Sequence, residues 1–578
     1  MKLITRSITY ILGVFLIIYF TTPVLSFSFV EFPSYLLLIC IVLLIRYCVI
    51  NECFNELWVS VNTKVEHKEY KGKTKKTDSK IKRPRFAYFD FLRVMTLLLS
   101  LWVLGLKFYS SALFHAKAYR NLIGDVKIKS SFEDDFAPVS TVQIRVVDRD
   151  MAYRLGDKVL GTIPSLGSQV DIGEFTIQMV RGKLYWIAPV CHSGFFKWKR
   201  NKNGTPGYIK VSATDPRDVS FIEKYADHPI RIKYQKEAYF QDCLDRHIYF
   251  NGYMTNGFTD ATFEINEFGK PFWIVTLYDN KVVASGGDAT GVLVIDVETG
   301  RMNEYAIDDA PRWIDRIQPK AFILDQLDDW GRFIHGFGNW SNQGMLQTTK
   351  GLSLVYGNDG KSYWYSGLTS VGADEGTVGF VLVNTRTKET IWYQQVGATE
   401  QAARKSAMGK VQEKGYEASF PITYNINGVP TYVMSLKDKG GLSKMTAMVS
   451  VRDYTIVGVG NNLKETLRNY KNTLHQLDGT ISPTQSENQV QIKGTIVRLG
   501  RDIRGGNTSY YMQLREFPKV IFIGSSIISN ELPISNVGDT VKIVIDDFSD
   551  PFIDIVSFDN KSITQRLKVN KKMFRKDR

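Results

Sequence analysis

Cysteine and histidine are scarce in this chain, with five and seven in 578 residues. So few cysteines exclude a disulfide-built scaffold. Cys40, Cys48 and Cys53 lie in or beside an apolar segment, which leaves Cys191 and Cys243 as a pair that could bridge in an oxidising compartment. No CxxC or Cys/His spacing marks a metal centre, and no cofactor motif is present. Gly-x-Ser-x-Gly, His-Glu-x-x-His and the P-loop are all missing, so the main hydrolase and nucleotide-binding signatures are excluded. Asn358-Asp359-Gly360 is a turn without the remaining ligands of a calcium loop.

What is present is uneven charge. The net charge is +14. Between Lys64 and Arg85 ten Lys/Arg stand against Glu66, Glu69 and Asp78, and from Lys561 to Arg578 eight stand against Asp577. These two segments carry the whole excess, so the remainder is neutral and nucleic acid is not an expected partner.

Three apolar runs open the chain: Ile8–Phe27, Tyr35–Ile50 and Val94–Phe114, the last interrupted by Lys107. Each approaches the roughly 20 residues of a membrane-spanning helix. Lys2, Arg6 and the first basic cluster orient the N-terminus and residues 51–93 toward the cytoplasm and the chain beyond Lys117 to the outer side. A cleaved signal peptide ending near Val24-Leu25-Ser26 is the alternative for the first run. The expected location is therefore a multi-pass cell-membrane protein with an extracytoplasmic body and the bilayer as a partner.

A phrase recurs in that body. Gly182-Lys183-Leu184-Tyr185-Trp186, Gly269-Lys270-Pro271-Phe272-Trp273 and Gly360-Lys361-Ser362-Tyr363-Trp364 share one pattern, and Gly428-Val429-Pro430-Thr431-Tyr432 is a decayed copy. Alternating strands precede each copy: Phe175–Val180, Ala261–Ile265, Leu352–Tyr356 and Phe420–Tyr424. Apolar strands follow near Tyr208, Val292, Phe380 and Met448. A fourfold β-rich unit favours binding or scaffolding over one catalytic cleft. Adjacent strand residues face opposite ways, so one ring of each phrase should be core. Helices are legible at Ala398–Lys414, with Ala403, Ala407 and Val411 on one face, and at Asn462–Leu477, with Asn462 and Glu465 as a capping box.

The helix, hairpin, loop and strand ending in Asp296-Val297-Glu298-Thr299-Gly300 resembles the PepSY-type module. Ala118-Tyr119-Arg120-Asn121-Leu122-Ile123-Gly124 and Ser370-Val371-Gly372-Ala373-Asp374-Glu375 resemble an uncharacterised family of bacterial membrane-anchored proteins. The resemblance covers roughly residues 110–470. It implies an extracytoplasmic body in a bacterial envelope and a role in regulating a peptidase. Only the fourth unit has a clear preceding helix in the sequence.

After a polar linker, five short strands over residues 489–560 fit a small OB-like barrel, with an SH3-like barrel or small sandwich as alternatives. The expected organisation is α+β. Residues 1–115 form the membrane anchor, 116–235 the first β-rich unit, 236–345 the second, and 346–477 the third and fourth. Residues 478–488 are the linker, 489–560 the barrel and 561–578 a basic tail suited to anionic lipid or polymer.

Candidate binding residues fall in two aromatic segments: His192, Phe195, Phe196 and Trp198, beside lysines; and Asp328, Asp329, Trp330, His335 and Trp340. Flat rings beside carboxylates suit a peptide or glycan groove. The acidic pairs Asp308-Asp309 and Asp374-Glu375 read as solvated turns. The leading expectation is a non-enzymatic envelope binding or scaffold protein with a protein partner. The alternatives are an envelope hydrolase and an adaptor holding an anionic polymer through barrel and tail.

Overall fold

The structure is a computed structural model describing residues 2–51, 84–130, 132, 144–163, 166–349, 351–357, 360–372, 376–426, 428–477, 490–504, 507–526, 528–545 and 551–563. The basic segment up to Arg83, the linker, the tail beyond Ile563, Asn358-Asp359 and Asp374-Glu375 lie outside the described residues.

Apolar sequence without an amphipathic stripe gives long N-terminal helices, Lys2–Thr21, Glu31–Asn51 and Pro84–Tyr109. Two of them, over Glu31–Val49 and Phe89–Tyr109, are long and apolar enough to cross a membrane. The first helix stops at Thr21, before Pro23, rather than running to Phe27. The third run breaks at Ser110-Ser111, and Ala112–Arg120 forms a separate short helix.

Four antiparallel meanders make the body. The first is Thr176–Val180, Lys183–His192, Tyr208–Ser212 and Val219–Ile222. The second is Gly257–Ile265, Pro271–Val282, Ser285–Asp296 and Met302–Ala306. The third is Ser353–Tyr356, Ser362–Ser370, Gly379–Asn384 and Thr390–Tyr393, extended by Val126–Lys129, which pairs in parallel with Thr390–Tyr393. The fourth is Ile422–Ile426, Val429–Lys437, Ser443–Ser450 and Val457–Gly460. A helix precedes each meander, not the last alone: Arg149–Gly161, Leu244–Phe250, Lys320–Arg332 and Glu400–Gly409. The first three escape a sequence reading because their apolar stripes are short and, in Lys320–Arg332, crossed by buried Gln326.

The recurring phrase does one mechanical job. Its glycine starts each second strand with positive φ: 76° at Gly182, 83° at Gly269, 74° at Gly360 and 79° at Gly428. Its buried tryptophan then donates to a carbonyl in the segment entering that meander's helix. Trp186 Nε1 reaches Val147 O at 2.8 Å, Trp273 reaches Tyr234 O at 2.8 Å and Trp364 reaches Gln318 O at 3.0 Å. In the fourth copy Tyr432 Oη reaches Ala398 O at 3.0 Å. The N–H groups of those same four residues donate to Ala213, Val297, Thr385 and Val451, each just past the end of a third strand. The phrase thus ties turn, strand and helix entry together.

The cores lie between meanders. The first shares apolar residues with the second and with the third, and the third with the fourth. The Leu463–Leu477 helix lays Tyr470 and Leu474 on the fourth meander. Gly458 permits the approach, since a Cβ there would stand 2.3 Å from Tyr470 N. Asn462 Oδ1 caps Glu465 N at 2.9 Å, while the Glu465 carboxylate reaches back to Asn461 N, one residue earlier than a standard box.

The C-terminal strands Val490–Arg504, Asn507–Leu514, Phe517–Ser525, Thr540–Ile545 and Phe552–Asn560 close a five-stranded barrel in the order first, second, third, fifth, fourth. The third and fifth strands are parallel.

Candidate functional site

The two aromatic segments do not converge. His192 ends a strand and is 4 % exposed, so it is core rather than an accessible loop group. Its backbone N–H donates to Gln235 Oε1 at 2.8 Å, and burial pushes its imidazole below the usual value. Trp198 is likewise buried, donating to Asp242 at 3.2 Å. Cys191 and Cys243 are both buried free thiols and do not bridge. Phe196 is different. It is 78 % exposed on the short Phe195–Arg200 helix, in a ring cluster with Phe195, Tyr239 and half-exposed Phe240. Lys197, Lys199, Arg200 and Lys202 surround it in sequence.

That cluster abuts the apolar helices. Arg246 Nη1 donates to Phe240 O at 3.0 Å, and its guanidinium lies over the rings of Tyr19 and Phe20 at 5.3 and 5.8 Å. Phe250 stacks on Tyr19 at 5.6 Å. The link between the first two helices is also seated on the body. Tyr249 Oη donates to Pro23 O at 2.7 Å, Leu25 N to Met254 O at 2.7 Å, and Asn280 Nδ2 to Ser28 O at 2.9 Å. At the end of the third helix, Ser110 Oγ accepts from Ala284 N at 3.3 Å.

Beside this junction opens a cleft of about 500 Å³. Phe29 comes from the helix link, Glu31 from the first turn of the second helix, Tyr278 and Ser285 from a hairpin, and Asp325, Gln326, Asp328, Asp329 and Arg332 from the Lys320–Arg332 helix. Asp328 is partly spent, since its Oδ1 accepts from the backbone and hydroxyl of Thr348. Burial and the charge of Asp325 lift the Asp329 carboxyl to about 6, while Arg332 pulls the other way. Gln326 is buried, with Nε2 on Gly287 O at 3.1 Å and Oε1 without a partner. Trp330 plugs a seam between Trp392, at 5.6 Å, and Arg120. His335 and Trp340 lie beyond the cleft, with Trp340 90 % exposed. Asp328 and Asp329 therefore line this cleft, whereas Trp330, His335 and Trp340 do not.

A second polar centre was not legible in the sequence. Glu264 and Asp315 are buried where three meanders meet. Asp315 N donates to Glu264 Oε2 at 3.1 Å, and Met179 N and Tyr356 Oη each donate to Asp315 Oδ2 at 2.8 Å. Burial first, and the charge of Asp315 second, lift the Glu264 carboxyl to about 8. Its enclosure makes it a structural tie rather than a reaction centre. Among the described residues no His/Cys/Asp/Glu group could hold a metal ion.

No family model matches the chain. No curated protein matches it. Among solved structures, a mutant levansucrase of B. megaterium aligns at 10% identity over 73% of this chain and 97% of that one, with a TM-score of 0.17, too low to bear on fold or function.

Proposed function

We propose that this is a membrane-anchored, extracytoplasmic binding protein of a bacterial envelope. Its body would be four copies of a PepSY-like helix-and-meander module followed by an OB-like barrel. The observation that carries the reading is the docking of the Pro23–Ser28 link and of Ser110 onto the body. These are the ends of the apolar helices away from the basic cluster of residues 64–85, so the body belongs on the side opposite that cluster. The exposed Phe196 and Phe240 rings, ringed by bases beside Tyr19 and Phe20, suit the outer lipid interface.

The cleft supports a protein partner rather than a hydrolase. Glu31, Asp325, Asp328 and Asp329 line it against one Arg332, so carboxylates outnumber the base. Such a site accepts donors, above all a lysine or arginine side chain of a partner. With Asp329 titrating near 6, its negative charge grows as pH rises through that value. A lysine-rich peptide should therefore bind more tightly at pH 7 than at pH 5. Asp325→Asn with Asp329→Asn should weaken binding about tenfold, two exposed pairs at up to ~1 kcal/mol each, and remove the pH dependence. Equal binding by the variant would sink the cleft as the docking site. An envelope peptidase as the partner is the specific form implied by the PepSY resemblance.

A further inference from the structure

The barrel carries a basic recess that this reading does not use. It encloses about 440 Å³ and is lined by Gln491, Lys493, Thr540, Lys542, Lys561 and Ser562. Strand alternation explains its chemistry: Ile492, Val541 and Ile543 fill the barrel, which turns Lys493 and Lys542 outward. The register then places Lys493 directly across the ladder from Lys542. Like charges facing each other across a β-ladder are destabilising, and neither lysine has an ion pair among the described residues to relieve it. Asp559 faces Lys542 from the other neighbouring strand, but Lys561 pairs with it.

We infer that this recess is a binding site for the phosphate groups of a linear polyanion. Ammonium groups act on phosphate as point charges. The Gln491 amide and the Thr540 and Ser562 hydroxyls add polar hydrogen-bonding groups. Among the described residues no aromatic side chain lines the recess, so these offer no platform on which a nucleobase could stack. It lies on the first and fourth strands of the barrel, away from the second and third strands that OB barrels use for oligonucleotides. Its volume exceeds one phosphate, and the sequence from Lys561 onward continues with a net charge of +7, eight bases against Asp577, which favours a chain of phosphates over a single one.

The test uses the full chain in detergent, with inorganic polyphosphate as probe. Polyphosphate should bind and slow amide exchange in Thr540–Ile545. Lys493→Gln with Lys542→Gln should weaken binding about tenfold, from two exposed charge pairs, and lower the salt dependence by about two charges. Because the variant also relieves the facing charges, its Thr540–Ile545 amides should exchange more slowly than wild type when no anion is present. Lys519→Gln, on the barrel but outside the recess, should bind as wild type does. Unchanged binding by the double variant, or an equal loss in Lys519→Gln, would overturn the site. Competition by orthophosphate at equal phosphate concentration, or binding to phosphatidylglycerol nanodiscs without binding to polyphosphate, would overturn the polymer in favour of a single phosphate or a lipid headgroup.

Discussion

Trp273 is buried, and its indole N–H donates to the carbonyl of half-buried Tyr234. Replacing it with phenylalanine keeps most of the apolar surface and strands that carbonyl. The expected loss is about 1–3 kcal/mol, read as a lower denaturation midpoint. A Trp273→Phe protein as stable as wild type would remove the indole bond from the account. Gly182 makes a cleaner case, since a Cβ there meets nothing within 4 Å. Gly182→Ala should cost about 1 kcal/mol from its left-handed backbone alone. Both features were half legible in the sequence. Strand alternation says that one ring of each phrase faces the core, and glycine before a strand says turn. The acceptor lies 39 residues upstream of Trp273, and spacing of that kind carries no local signal.

The Gly257–Ile265 strand buries Glu264, and the approach to the Lys320–Arg332 helix brings Asp315 against it. The sign of the pH effect follows from the raised carboxyl. Burial and the neighbouring Asp315 hold the Glu264 carboxyl well above its ordinary 4.5, so the fold prefers it protonated. That contribution is complete below 4.5 and fades as pH rises above it toward the raised value. Thermal midpoints should therefore fall across that window, and Glu264→Gln should flatten the fall. An equally steep fall in the variant would assign the dependence elsewhere. Helices with a strong stripe, such as Leu463–Leu477, were readable from period alone. Leu244–Phe250 was not, because seven residues hold too few turns to show a period. The barrel was readable as five strands, but its strand order and its facing lysines depend on register between segments some 50 residues apart.

At the scale of the whole molecule, three apolar runs, a fourfold phrase and a barrel were visible in sequence, and the Asp328-Asp329 pair pointed at the cleft. The cleft's other walls were not visible, because Phe29, Ser285 and Gln326 meet only after distant segments pack. His192 misled for a related reason: a polar residue after an aromatic strand looks solvent-facing until a second segment, here with Gln235, covers it. On the proposed topology, the helix ends seated on the body and the basic cluster should lie on opposite sides of a membrane. Labelling intact cells with a membrane-impermeant maleimide tests it most directly, using single cysteines at Asp308→Cys, in an exposed turn of the body, and Thr74→Cys, in the basic cluster. The expected result is labelling at 308 in intact cells and at 74 only after lysis. Labelling at 74 in intact cells, or protection of 308 until lysis, would contradict the account.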